Sequence, residues 1–231
     1  MTRQFDDLSR NTAVRNPNKV IIAFEGRFTE RKYFNVLRER YEKNPNLPRI
    51  ISLGYTDSSP DKVFSSVHKY VKKKDSDVKK RDQVWIVVDV DEHSTLEDTL
   101  NQCDTHGYHY AVSNPCFEFW LLLHICSIEE FNQAQLEAFL INKKTSRVNS
   151  VLTEELSRRQ LGGGGANKRK VKTYIPFVPS AIIRAEQLDH EAFIPKAIQR
   201  SKDRSAPIDD VTKELGSTVY KLVQEILNRI L

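Results

Sequence analysis

Two apolar runs in this sequence end abruptly in acids. Val84-Trp85-Ile86-Val87-Val88 leads straight into Asp89-Val90-Asp91-Glu92, and Val20-Ile21-Ile22-Ala23-Phe24 ends at Glu25-Gly26. Side chains two residues apart in an extended segment point to the same side, so Asp89 and Asp91 can converge on one cation. Two like charges at the end of a buried strand repel each other, and a divalent ion supplies the compensation. Hard oxygen donors with few histidines select Mg²⁺ or Mn²⁺, and Mg²⁺ binds through a few carboxylates, water and substrate phosphate. The chemistry expected of Glu25, Asp89 and Asp91 together is therefore on phosphoesters. The alternative is that the aspartates cap the next helix in water and that Glu25 merely follows a strand.

The elements that must position these acids alternate regularly. Strands are expected at 20–24, 50–53, 84–88 and 108–113, the first and third being continuous apolar runs. Between the first two lies a helix capped by Thr29, with Tyr33, Phe34, Leu37 and Tyr41 at helical spacing. Ser59-Pro60 opens a second helix, and Ser94 with Glu97 forms a capping box for a third that stops near Gly107. This β-α-β-α-β-α-β order predicts an α/β fold, a parallel sheet with helices on its faces, and places ligands outside the carboxyl ends of the strands. Glu25 and the aspartate pair fall at that edge. Beyond Pro115 the pattern is helical: 117–125 is strongly apolar, 128–139 is amphipathic, and Val219, Leu222, Val223, Ile226, Leu227 and Ile230 form one stripe of a C-terminal helix.

Charge is unevenly spread. The chain of 231 residues carries a net +5, yet residues 143–172 alone hold nine Lys or Arg against two acids. A near-neutral body with one basic segment suits a polyanion, because each cation that neutralises a phosphate releases counterions. Lys143, Lys144, Arg147, Lys168, Arg169 and Lys170 are the candidate nucleic-acid contacts; a solvated basic face is the bland alternative. The run Gly162–Gly165 within this segment follows no strand and precedes no Gly-Lys-Ser/Thr, so it is not a phosphate-binding loop. Cys103, Cys116 and Cys126 form no CxxC pair and no histidines are spaced as HExxH, which argues against disulfides and zinc. The longest apolar runs fall well short of the ~18 residues of a membrane span, and no secretory signal is seen, so a cytoplasmic protein is expected.

Three stretches, AFEGRFTERKYF (23–34), VVDVDE (87–92) and SNPCFEFWLLLH (113–124), together with the final YKLVQEI, resemble the RloB-like proteins, which carry a Toprim-type catalytic fold. The resemblance implies a Toprim-like parallel sheet flanked by helices with a mainly helical C-terminal extension: an arm at 1–19, a catalytic domain at 20–126 and a helical, basic region at 127–231. It makes Glu25 the Toprim glutamate and Asp89 and Asp91 the two-aspartate motif. The third acid of some Toprim proteins would fall at position 93, here His93, so Glu92 or Glu118 would supply any further ligand. The activity implied is a Mg²⁺-dependent nuclease cutting DNA or RNA, tRNA included, as the toxic effector of an anti-phage, abortive-infection system. The implied partners are nucleic acid and an ABC-type ATPase encoded beside it; a homodimer is a separate expectation. Glu25 would act as general base or metal ligand, and Lys172 is the candidate for stabilising charge on the phosphorane oxygens. Asn114 and Glu118 either line the same cleft or are a helix cap and a surface acid. His124, on the apolar face of 117–125, reads as a core histidine. The competing function is a non-catalytic subunit that binds nucleic acid or the ATPase.

Overall fold

The computed structural model describes residues 19–26, 28–53, 59–73, 76–90, 94–147, 149–159 and 171–228. Residues 1–18 of the expected arm, Asp91, Glu92, His93, Lys168, Arg169, Lys170, the glycine run and Ile230 lie outside the described residues, while Lys19, also expected in the arm, opens the first strand. The strands are β1 (Lys19–Phe24), β2 (Arg49–Ser52), β3 (Gln83–Asp89), β4 (His109–Asn114) and β5 (Gly216–Ser217), ordered β2-β1-β3-β4-β5. β1 to β4 are mutually parallel, as the alternation with helices predicts, and β5 is antiparallel to β4.

The apolar runs are continuous because both sheet faces are covered. In β1, Val20, Ile22 and Phe24 join one core while Ile21 and Ala23 join the other; in β3, Trp85 and Val87 divide in the same way from Val84, Ile86 and Val88. The first face is covered by α1 (Thr29–Tyr41), α4 (Phe117–Ile125), α7 (Val178–Leu188) and α9 (Val219–Asn228). The second is covered by α2 (Pro60–Lys72), α3 (Leu96–His106) and α8 (Phe193–Lys202). Two short helices, α5 (Gln133–Ile141) and α6 (Val151–Arg158), extend the first layer. Chain order moves from β1 outward to β2 on one side, then returns to β3 and β4 on the other, so the strand order reverses between β1 and β3. In open α/β sheets that reversal opens a crevice at the carboxyl edge, because the connecting helices diverge to opposite faces.

Several local expectations change. The N-cap of α1 is Phe28, and Thr29 is the first helical residue, its hydroxyl turned to Glu118. The Ser94–Glu97 capping box does not form: Thr95 caps α3 without a side-chain bond, and Glu97 pairs with Lys202 instead. The 128–139 pattern is split, a 3-10 turn at Ile128–Glu130 being followed by α5, which Asn132 and Gln135 cap reciprocally. α2 opens at Ser59-Pro60 and α3 closes at Gly107, whose φ of 65° is the left-handed conformation that glycine adopts freely. His124 is a core histidine. Its Nδ1–H donates to the Trp120 carbonyl at 2.9 Å, which leaves Nε2 to accept from the Tyr33 hydroxyl at 3.0 Å. Burial pushes its pKa down to about 3, so the ring is neutral.

Candidate active site at the sheet's carboxyl edge

Glu25 and Asp89 meet across the crevice. Phe24 is in register with Val87, the Glu25 N–H donates to the Val87 carbonyl at 3.1 Å, and the Asp89 N–H donates to Glu25 Oε2 at 3.1 Å. Glu25 is therefore held by β3's own main chain, although it follows β1, and it is 5% exposed. A buried carboxylate fixed by a backbone donor has few rotamers left, which is the preorganisation that a ligand or base requires.

A third acid reaches the same edge from β4. The chain leaves Asn114, passes Pro115 and enters α4, with Cys116 as its N-cap and Glu118 in its first turn. Thr29 Oγ1 donates to Glu118 Oε1 at 3.5 Å, which ties α4 to the start of α1. Burial pushes the Cys116 thiol well above its usual range, and the charges of Glu118 and Asp89 push it further, so the thiol stays protonated between these two acids. Tyr174, also close to Glu118, is raised to about 12, chiefly by burial. Asn114 Nδ2 donates to the Glu214 carbonyl at 2.8 Å, anchoring the segment before β5.

A fourth acid escaped the sequence reading. Glu30, 4% exposed, lies in the first turn of α1 with its carboxyl against Gly26, where an added Cβ would run into it. Burial, with repulsion from Glu118, pushes its pKa up to about 7, against backbone N–H bonds at Glu30 and Gly26 that lower it. It belongs to the buried stripe of Tyr33, Phe34 and Leu37, and that spacing was the available signal. A raised folded pKa means that ionisation opposes folding: the contribution is fully present below about 4.5 and lost as pH rises through about 7. Glu30→Gln should therefore gain in melting temperature over the wild type as pH climbs from 4.5 to 7, then hold a constant margin. Thermal melts across pH 4.5–8.5 check this, and a margin independent of pH would refute it.

Lys172 flanks a groove of about 340 Å³ with Val36, Glu39, Arg40, Ile175 and Pro176, beside the second half of α1. Lys143, Lys144 and Arg147 are exposed on the turn after α5. Asn142, which precedes them, donates to Cys116 Sγ at 3.3 Å and accepts from the Leu152 N–H at 3.1 Å. One hydrogen bond thus fastens the basic turn to the residue between Asp89 and Glu118.

Among the described residues no group of three or more His, Cys, Asp or Glu side chains is arranged to hold a metal ion. Asp91, the third expected ligand, lies outside them. The donors brought to the edge, Glu25 and Asp89 with Glu118 near, are all hard oxygens. That chemistry fits Mg²⁺ or Mn²⁺. No described helix is long and apolar enough to cross a membrane. The family model described as RloB-like protein matches residues 20–226. No curated protein and no solved structure gives a match.

Proposed function

From the premise that the chain belongs to the RloB-like family, we propose that it is a metal-dependent nuclease that hydrolyses nucleic-acid phosphodiesters at the Glu25–Asp89 edge. The observation that carries this reading is the fixed pairing of Glu25 with the Asp89 main chain where the strand order reverses. Glu25, Asp89 and, from its place in the sequence, Asp91 would hold the ion. A bound Mg²⁺ or Mn²⁺ would polarise the scissile phosphate and acidify the attacking water. Hydrolysis adds the water oxygen to phosphorus and breaks the bond to the leaving oxygen, which takes up a proton. Glu25 would accept the water's proton or serve the ion as a ligand, and the turn at Lys143, Lys144 and Arg147 would bind the flanking phosphates. Lys172, on the groove beside α1, would stabilise charge on the phosphorane oxygens.

The family resemblance supports the wider setting, a toxic effector of bacterial anti-phage defence regulated by an ABC-type ATPase partner. The test is incubation of the purified chain with DNA, total RNA and tRNA in Mg²⁺, Mn²⁺ or EDTA, with and without the neighbouring ATPase. Strand scission is expected with either ion and none with EDTA. Scission that survives EDTA would overturn the metal dependence, and its absence in every combination would leave the non-catalytic binding subunit as the reading.

A further inference from the structure

Resting on the nuclease reading, we infer that Phe28 is a stacking platform for an unpaired base, and that the substrate is therefore single-stranded or locally unpaired nucleic acid. Phe28 is 63% exposed. It occupies the N-cap of α1 and makes no side-chain capping bond there. Ser, Thr, Asp or Asn at that position would satisfy one of the helix's unpaired N–H groups, whereas phenylalanine ranks among the poor caps. Neither burial nor capping accounts for an aromatic ring at this point.

Its location does suggest a use. Phe28 follows Glu25 by three residues, so the two Cα atoms are at most about 11 Å apart. It immediately precedes Thr29, whose hydroxyl holds Glu118. The ring therefore stands at the rim of the acid cluster. One helical turn on, Lys32 Nζ lies 6.0 Å from the ring centroid, and Arg31 beside it is exposed. An exposed ring bordered by cations is the pairing with which proteins hold single strands: the aromatic face takes a base and the cations take its phosphates. A base in a duplex offers no free face, so such a platform discriminates against paired substrate.

The experiment uses the full chain in a Glu25→Gln background with Mg²⁺, so that substrate persists, and single-stranded and duplex oligonucleotides carrying 2-aminopurine, a base whose fluorescence is quenched by stacking. Phe28→Ala should weaken single-strand affinity by about 5- to 100-fold, abolish the quenching and leave duplex affinity unchanged. Phe28→Trp should restore both signals, and because residue 28 is exposed the variants should melt with the parent. Equal single-strand affinity in Phe28→Ala overturns the inference, as do equal losses on single strands and duplex, or no single-strand binding at all. A changed oligomeric state with unchanged binding assigns the ring to a protein contact and overturns it too. The two readings fail separately: quenching through Phe28 without scission by the wild type sinks the nuclease, and scission that Phe28→Ala leaves untouched sinks the platform.

Discussion

Glu25→Gln should lower the rate of strand scission by about 10²- to 10⁴-fold, the range that a positioned proton acceptor contributes, while leaving the protein folded. The substitution keeps the shape of the side chain and an oxygen able to accept the Asp89 N–H now bound at 3.1 Å. A bond to a charged acceptor is stronger than one to a neutral amide by roughly 1 kcal/mol. That difference corresponds to a melting shift of about 2–4 °C for a chain of this size. Burial works the other way, since Gln has no charge to desolvate at a position 5% exposed. Activity and stability should thus separate by orders of magnitude. Single-turnover scission assays beside thermal melts provide the measurement. A variant that cleaves within threefold of wild type would remove Glu25 from the chemistry, and one that fails to fold would make it structural.

The Glu25–Asp89 pairing was legible because it depends on patterns that do not need the third dimension. A strand buried on both faces must be apolar throughout, so the first charge after such a run marks its carboxyl end, and parallel strands put those ends at one edge. Proline at position 60 and glycine at 107 fixed helix bounds by backbone restriction alone. What escaped depends on contacts between distant segments. Gly216–Ser217 is too short to show any period, and only its pairing with Ser113 and Asn114 makes it a strand. The sheet consequently draws strands from both sides of residue 126. Glu30 reads as an ordinary first-turn acid until Gly26 and the start of α4 close around it. The place of Lys172 was not legible, because it is set by how the 171–177 segment packs on α1. Asn114, at the end of β4, was captured by the Glu214 carbonyl, a partner 100 residues away.

That capture leads to a second large effect, in a part of the protein with no role in the chemistry. Arg200→Ala should destabilise the fold by about 3–5 kcal/mol, the range for breaking a buried ion pair from one side. Arg200 is 5% and Glu214 2% exposed, with Nη2 and Nε 2.6 and 2.8 Å from Glu214 Oε2. Nη1 also donates to the carbonyls of Arg204 and Ala206, so one guanidinium organises the whole approach from α8 to β5. Its removal leaves a buried carboxylate unpaired beside the segment that Asn114 holds, and at 2–4 °C per kcal/mol melting should fall by about 6–20 °C. Replacing both partners, as Arg200→Met with Glu214→Leu, should recover most of the loss, since the desolvation cost of the orphaned charge disappears with it. Hydrogen exchange should localise the damage. The Thr218 N–H bonds the Val112 carbonyl at 2.9 Å and the Val112 N–H bonds Thr218 Oγ1 at 2.9 Å, so these amides should exchange earlier than those pairing β1 with β3. A single variant that melts within 3 °C of wild type would mean that water or a neighbouring cation compensates Glu214; a double variant no better than the single would place the stabilisation in the carbonyl bonds of Arg200, not in the charge pair.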